Sequence, residues 1–351
     1  MNKLKLIITL FSSMIVISFN MAQAHSADAS EKPNVNAIAF FGFLDDPKIT
    51  EIIDKKCNVN FSHDNYPSNA EFLHTFNTNA DDYDVMIFSN LIYGSIKDRL
   101  PNFKSNLSSV SNNYYPYFKD YFKTHGYTQN TAFFTHAMVG FLYNPKLIKV
   151  SPDDTIFDLF KKAKNNDVIL VDDSGEIGNL VTQAYKEKYN KNSQTKLTYK
   201  NLKELTQNTH VYVTSEFNKI YDNPKFAFAY IWSGDALLYL KKSHKPYKFF
   251  MPTHATSICT DLVVQMKDTP QAKCVADALA SPELLKYFEK DSYYFSPYFK
   301  NNIKDPIYTQ VYNQAKANLT NYTMIEPVYD FENYYNKNWE NIKLKLYEEN
   351  A

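Results

Sequence analysis

Four side chains are of types that together can grip an organic cation: Trp232, Asp261, Asp173 and Glu176. Trp232 stands in YIWSGDAL, where one of only two tryptophans and one of seven glycines sit beside an aspartate in an apolar run. Asp173 and Glu176 are three apart in LVDDSGEIGN, and Asp261 interrupts the apolar run SICTDLVV. An indole face attracts a cation by about 0.5–2 kcal/mol, and each charge-assisted bond from an ammonium to a carboxylate adds roughly 1.5–3 kcal/mol. A charge inside a strand pattern needs a partner, which singles out Asp261. Each residue also has a plainer use. Asp173 and Glu176 have the spacing of a helix N-cap and its third residue. Trp232 can be core, and Asp235 reads as a cap. If the two acids open a helix, its dipole should lower their pKa values.

The elements that must place these residues alternate between strand and helix, which gives an α/β class. VNAIAFFGF reads as a strand. DDPKITEIIDKK reads as a helix capped by Asp46, with Pro47 in its first turn and Ile49, Ile52 and Ile53 on one face. NVNFSHDNY is a strand, Ser68 to Glu71 a capping box, and DYDVMIFS a short strand ending at Ser89. After a Tyr- and Asn-rich stretch at about 101–130, AMVGFLYNP is a strand and DVILVDDSGEIGNLV a strand, turn and helix. PYKFFMPTHATSICTDLVVQM gives two strands. TPQAKCVADALASPELLKYFEK gives two helices, the second started by Ser281 and Pro282. FENYYNKNWENIKLKLYEEN gives a C-terminal amphipathic helix.

Residues 1–24 read as a Sec-type signal peptide: a basic start, an apolar core of about 14 residues and Ala22-Gln23-Ala24 as the cleavage site. The chain is then expected to be a soluble, exported, periplasmic protein starting near His25, with about 327 residues in two lobes. Acidic and basic residues balance at 38 each and Arg99 is the only arginine, so no basic stripe favours nucleic acid and no arginine cluster favours phosphate. Of Cys57, Cys259 and Cys274, the last two are the expected disulfide, with one thiol left over. No G-x-S-x-G, H-E-x-x-H, P-loop or dinucleotide fingerprint is present, so neither an enzyme nor a cofactor is expected.

The order of FSHDNYPSNAEFLHTF, DYDVMIFS, AMVGFLYN, LVDDSGEIGN, YIWSGDAL, TDLVVQMKDTPQAKCVADALASPELL and YYFSPYFKN resembles the spermidine/putrescine-binding proteins of bacterial ABC importers. The resemblance spans nearly the whole mature length. It implies a type II periplasmic-binding-protein fold: two α/β lobes joined by crossing strands, a ligand cleft between them, and no catalysis. The implied division is 25–136 and 260–303 for the first lobe, 137–259 and 304–351 for the second, with hinges near 137 and before Asp261. The implied partners are a polyamine and an inner-membrane permease, with the protein a monomer. Carried over residue by residue, Trp232 is the cleft tryptophan, Asp173 and Glu176 hold amines, and Asp261 grips a terminal ammonium. Ser89 is a polar strand-end residue, and Tyr294 is the tyrosine before Pro297. Phe41 opens the run Phe41-Gly42-Phe43-Leu44, where the family has an aromatic-polar-acidic-aromatic run.

Leu91, Cys259 and His136 stand where the family has aromatics, so the aromatic box is thinned and the acids remain. Glu326 and Asp330 are two further acids considered for the cleft. A lone histidine in an apolar segment reads as core; were His136 in the cleft, its protonation would weaken cation binding at acidic pH. Other readings of the same fold are another organic cation, a surface protein that does not transport, and ferric ion. The last rests on Tyr293, Tyr294 and Tyr298, which resemble the phenolates of ferric-ion-binding relatives, although adjacent residues of an extended chain face opposite ways.

Overall fold

The computed structural model describes residues 32–189, 195–215, 226–243 and 245–350. The expected signal peptide lies outside them. Ten strands form one sheet: β1 Asn34–Phe40, β2 Asn60–Tyr66, β3 Val85–Ser89, β4 Thr131–Tyr143, β5 Asp167–Leu170, β6 His210–Val213, β7 Phe226–Trp232, β8 Lys248–Phe250, β9 Ser257–Gln265 and β10 Thr323–Met324. Their order is β2-β1-β3-β9-β4-β7-β5-β6, with β8 on β4 and β10 on β9. The strands VMIFS and FAFAYIW are buried along their whole length. Such unbroken apolar runs suit strands covered by helices on both faces.

Two parallel groups, β2-β1-β3 and β6-β5-β7, are joined through β9 and β4, which run antiparallel to each other and to β3 and β7 respectively. β9 pairs with β3 over Asp261–Gln265, and on its other side with β4, Leu262–Val264 against Thr131–Phe133 and Ser257–Thr260 against His136–Val139. β4 carries a register shift between Phe133 and His136. Both β4 and β9 therefore link the two halves of the sheet, and Asp261 sits at the register shift in their pairing, opposite Ser89 at the end of β3.

The helices start where short polar side chains can satisfy free amides. Asp46 accepts from Lys48 N, Ser68 from Glu71 N, Thr269 from Ala272 N and Ser281 from Leu284 N. Pro47, Pro116, Pro270, Pro282 and Pro306 open helices, where a missing N–H costs nothing. The Tyr- and Asn-rich stretch contains the helix Pro116–Thr124. The last regular helix, Trp339–Asn350, is shorter than its sequence pattern, and Glu332–Asn336 before it is a π-turn.

The disulfide joins Cys57 to Cys274, with Cα atoms 5.7 Å apart, and Cys259 is the free thiol. The expected Cys259–Cys274 pair is therefore wrong. Cys57 ends the helix Pro47–Cys57, which packs on the helix Pro270–Leu279 carrying Cys274, whereas Cys259 lies within β9. Nearness in sequence favoured a pair that the packing of elements separates.

Candidate functional site

Strands β5 and β7 lie side by side and parallel, so the helices after them start at one edge of the sheet. The first is Ser174–Tyr189 and the second Ser233–Ser243, and each begins with Ser-Gly-acid. A Cβ on Gly175 would overlap the Leu91 side chain, and one on Gly234 would overlap the ring of Tyr294. Both glycines thus admit a side chain from another element tight against a helix start. The repeated Ser-Gly-acid start was a readable signal in the sequence that the motif reading missed.

Trp232, Glu176, Asp173 and Asp261 come together at this edge. The Trp232 indole N–H donates to Glu176 Oε1 at 3.1 Å. Among the described residues Glu176 Oε2 is buried without a nitrogen or oxygen donor, and the Cys259 thiol approaches the carboxyl. Asp173 Oδ1 accepts from Gly175 N at 2.8 Å and Glu176 N at 3.0 Å, and Oδ2 from Asn69 Nδ2 at 3.0 Å. The capping geometry of Asp173 is thus real, and it places Glu176 beside it. Asp261 lies opposite Ser89 across β9 and β3, on the same face. Ser89 Oγ also accepts from Leu91 N and caps the helix Asn90–Ile96.

The relative exposures of Asp173, Glu176 and Asp261 are 5%, 3% and 8%. Burial pushes all three carboxyls up, and with the neighbouring acids adding to it Glu176 reaches about 7 and Asp261 about 8. The lowering expected from a helix start is overturned: desolvation outweighs the dipole and the amide bonds here. Among the described residues no lysine, arginine or histidine forms an ion pair with any of them. Glu289 shows the contrast. It is equally buried, yet it accepts from Ser296 N at 2.8 Å and from Asn302 Nδ2 at 3.1 Å.

A cavity of about 700 Å³ opens beside Trp232, with Phe40, Phe43, Phe288 and Tyr294 among its walls. Phe40 meets Trp232 edge-on at 5.8 Å, and Phe43 meets both Phe288 and Tyr294. Phe41 also lines it, 65% exposed on the turn whose next residue, Gly42, has φ +87°. Tyr294 O–H donates to Asp235 Oδ2 at 2.8 Å. Burial raises the Asp235 carboxyl to about 6, with Tyr294 and Lys242 opposing. Asp235, read as a cap, stands in the first turn of its helix and also lines the cavity. A smaller cavity of about 380 Å³ lies on the other side of Pro67 and Ser215, where Asp173 and Ser174 line it.

Three candidates fall elsewhere. His136 is fully buried, stacked on Phe118 at 3.9 Å, and its Nδ1 is 2.8 Å from Thr260 Oγ1. Burial lowers its pKa to about 3, so its titration does not govern the site. Glu326 contacts His125 and Tyr121 at the surface, and Asp330 caps Asn333. The hydroxyls of Tyr293, Tyr294 and Tyr298 diverge onto Asp305, Asp235 and the Ala280 carbonyl, so the three phenols do not converge.

No family model and no curated protein matches the sequence. Solved structures do match. The spermidine/putrescine ABC transporter substrate-binding protein PotD of Streptococcus pneumoniae superposes with TM-score 0.68 at 18% identity, over 91% of this chain and 100% of its own. The Tp0655 (TpPotD) lipoprotein of Treponema pallidum gives 0.70 at 14%, over 89% and 99%. The binding protein MotA of A. tumefaciens B6, in complex with glucopine, gives 0.65 at 13%, over 89% and 99%. The chain therefore has the two-lobed type II periplasmic-binding-protein fold. Among the described residues no helix is long and apolar enough to cross a membrane.

Proposed function

We propose that this chain is an exported solute-binding protein that captures a small organic cation, a polyamine such as putrescine or spermidine, and hands it to the permease of an ABC importer. The observation that carries the reading is the set of three buried carboxyls, Asp173, Glu176 and Asp261, with which no lysine, arginine or histidine among the described residues forms an ion pair. Burying an unpaired carboxylate is costly, and a protein keeps such a set where a cation arrives from outside. The likeness in fold to PotD proteins supports the same reading.

In this account Asp261 and Glu176 hold one ammonium group. Asp173, tied down by its three amide bonds, adds negative field. Trp232 forms the wall along the methylene chain and keeps Glu176 in place through its indole N–H. Ser89, Tyr294 and Phe41 give polar and aromatic support. Three acids and one indole are enough for micromolar binding, about −8 kcal/mol, after ordering costs. The protein binds and releases without chemistry, and closure of the two halves about β4 and β9 is the conformational step. Residues 1–24 direct export to the periplasm.

A thermal-shift series with putrescine, spermidine, amino acids and Fe(III) tests this. A ligand at a hundredfold excess over Kd stabilises by about 2.7 kcal/mol, roughly several degrees in a chain of this size. The expected result is a shift with a polyamine that vanishes in Asp261→Asn. A shift only with an amino acid or Fe(III) would replace the substrate and leave the fold standing.

A further inference from the structure

Cys259 is the cysteine left outside the disulfide, and the fold sets it among the acids. Side chains alternate along β9, so Ser257, Cys259 and Asp261 share one face. The helix Ser174–Tyr189 lies over that face, because Asn179 Nδ2 donates to Ser257 Oγ. Glu176 stands three residues before Asn179, one turn back on the same side of the helix. Cys259 stands two residues beyond Ser257, and its thiol approaches the Glu176 carboxyl, with Asp261 next along the strand. Glu176 is 3% exposed, and its Oε2 has no nitrogen or oxygen donor among the described residues. Cys259 is half-buried rather than sealed in the core. The charges that act on the thiol are all acidic: Glu176, Asp261 and Asp173 add to burial in pushing it up. Such a thiol stays protonated and is slow toward ordinary disulfides. A reagent that brings its own positive charge is both attracted there and relieves that bias.

We infer that Cys259 is a covalent modification site selective for amine-bearing disulfides, which set an ammonium against Glu176 and Asp261 and exchange with the Cys259 thiol. This rests on the cation reading of the acids and adds a second class of ligand at the same place. In the exchange the Cys259 S–H proton passes to the Glu176 carboxylate. Cys259 Sγ attacks the nearer sulfur of the reagent, the reagent's S–S bond breaks, and a new S–S bond forms to Sγ. The departing aminothiolate takes the proton back from Glu176. Cys259 is oxidised to a mixed disulfide and the leaving half is reduced to a thiol, so the disulfide itself is the oxidant. The tethered ammonium then stays among the acids and occupies the place of a free amine. A neutral or anionic disulfide offers the same bond chemistry without the attraction.

Intact-mass spectrometry of the mature protein at pH 8 tests it, since the Cys57–Cys274 bond leaves Cys259 as the free thiol. The reagents are cystamine, bis(2-hydroxyethyl) disulfide and dithiodipropionate, each rate being divided by that reagent's rate toward N-acetylcysteine. The expected result is addition of cystamine at least about tenfold faster than of the neutral disulfide, with the dianion slowest. Glu176→Gln should cut the preference to about threefold or less, and Asp261→Asn gives the same reading should Glu176→Gln fold poorly. Equal normalised rates for the three reagents, a preference that both variants keep, or addition only in denaturant would overturn the inference. Saturating spermidine separates it from the polyamine reading. Slower addition of cystamine is expected if spermidine occupies the acids. A cystamine preference that spermidine leaves untouched would remove the polyamine and keep the modification site.

Discussion

The two helices that begin Ser174-Gly175-Glu176 and Ser233-Gly234-Asp235 leave the same edge of the sheet with the same local sequence, and they meet opposite fates. Around Glu176 the neighbours are acids, Cys259 and the Trp232 indole, and one carboxyl oxygen has no nitrogen or oxygen donor among the described residues. Around Asp235 a tyrosine hydroxyl donates a bond and the Lys242 charge pulls the carboxyl down. The second acid is largely satisfied from within. The first is not, and that deficit separates a place built to receive a cation from a place that lines its approach. Burial alone does not make the distinction, because Glu289 is buried and fully bonded.

The largest expected effect is on stability against pH. Asp261 and Glu176 hold protons up to about 8 and about 7 in the fold, whereas their ordinary values are 3.8 and 4.5. The folded state thus binds more protons than the unfolded state between about pH 4 and pH 8. Unliganded stability should fall as pH rises through that window, by about 1.4 kcal/mol per pH unit for each proton held. Denaturant unfolding at pH 5 and pH 8 checks it: Asp261→Asn should lose much of the difference, and Asp235→Asn less. A pH dependence unchanged in Asp261→Asn would erase the contrast between the two helix starts. Cation affinity must run the other way, weakening as pH falls through about 8 to 7, because the acids bind an ammonium only when ionised.

Next in size is affinity. At pH 8.5, Asp261→Asn should cost roughly 1.5–3 kcal/mol of polyamine binding, about tenfold to over a hundredfold, read by calorimetry. The glycines sharpen the comparison on the packing side. Gly234→Val should destabilise by about 1–3 kcal/mol and more than Gly175→Val, since its new Cβ meets the Tyr294 ring and the Ser292 carbonyl rather than the mobile end of Leu91. Thermal melts of the two variants decide this, and equal losses would mean that the two approaches are equally adaptable. The smallest effect is Tyr294→Phe, which leaves Asp235 without its donor at a place where the cavity admits water. About 1 kcal/mol of stability should go, with a loss of polyamine affinity smaller than that of Asp261→Asn.

Much of this was legible in the sequence because local rules dominate at those points. The strands β3 and β7 are unbroken apolar runs, and Asp46, Ser68 and Ser281 cap helices where their spacing from proline or glutamate says they should. Asp261 stood out as a charge in an apolar strand. What sequence could not carry was the environment that long-range packing creates. Asp173 and Glu176 read as acids lowered by a helix start, but burial by packing distant in the chain outweighs that, even against the Asn69 bond that lowers Asp173. The Cys57–Cys274 bond spans 217 positions and follows helix packing that no spacing encodes. Asp235 read as a cap, and what the sequence did not carry was the bond from Tyr294, 59 positions later.

The central claim is that Glu176 and Asp261 are held protonated until a cation replaces the proton. Proton release on binding measures it directly. Spermidine would be titrated into the mature protein at pH 7 in buffers of different ionisation enthalpy, and the observed heats compared. The account predicts release of about one proton per ligand bound, abolished or strongly reduced in Asp261→Asn. Binding with no proton released, or release undiminished in Asp261→Asn, would contradict it.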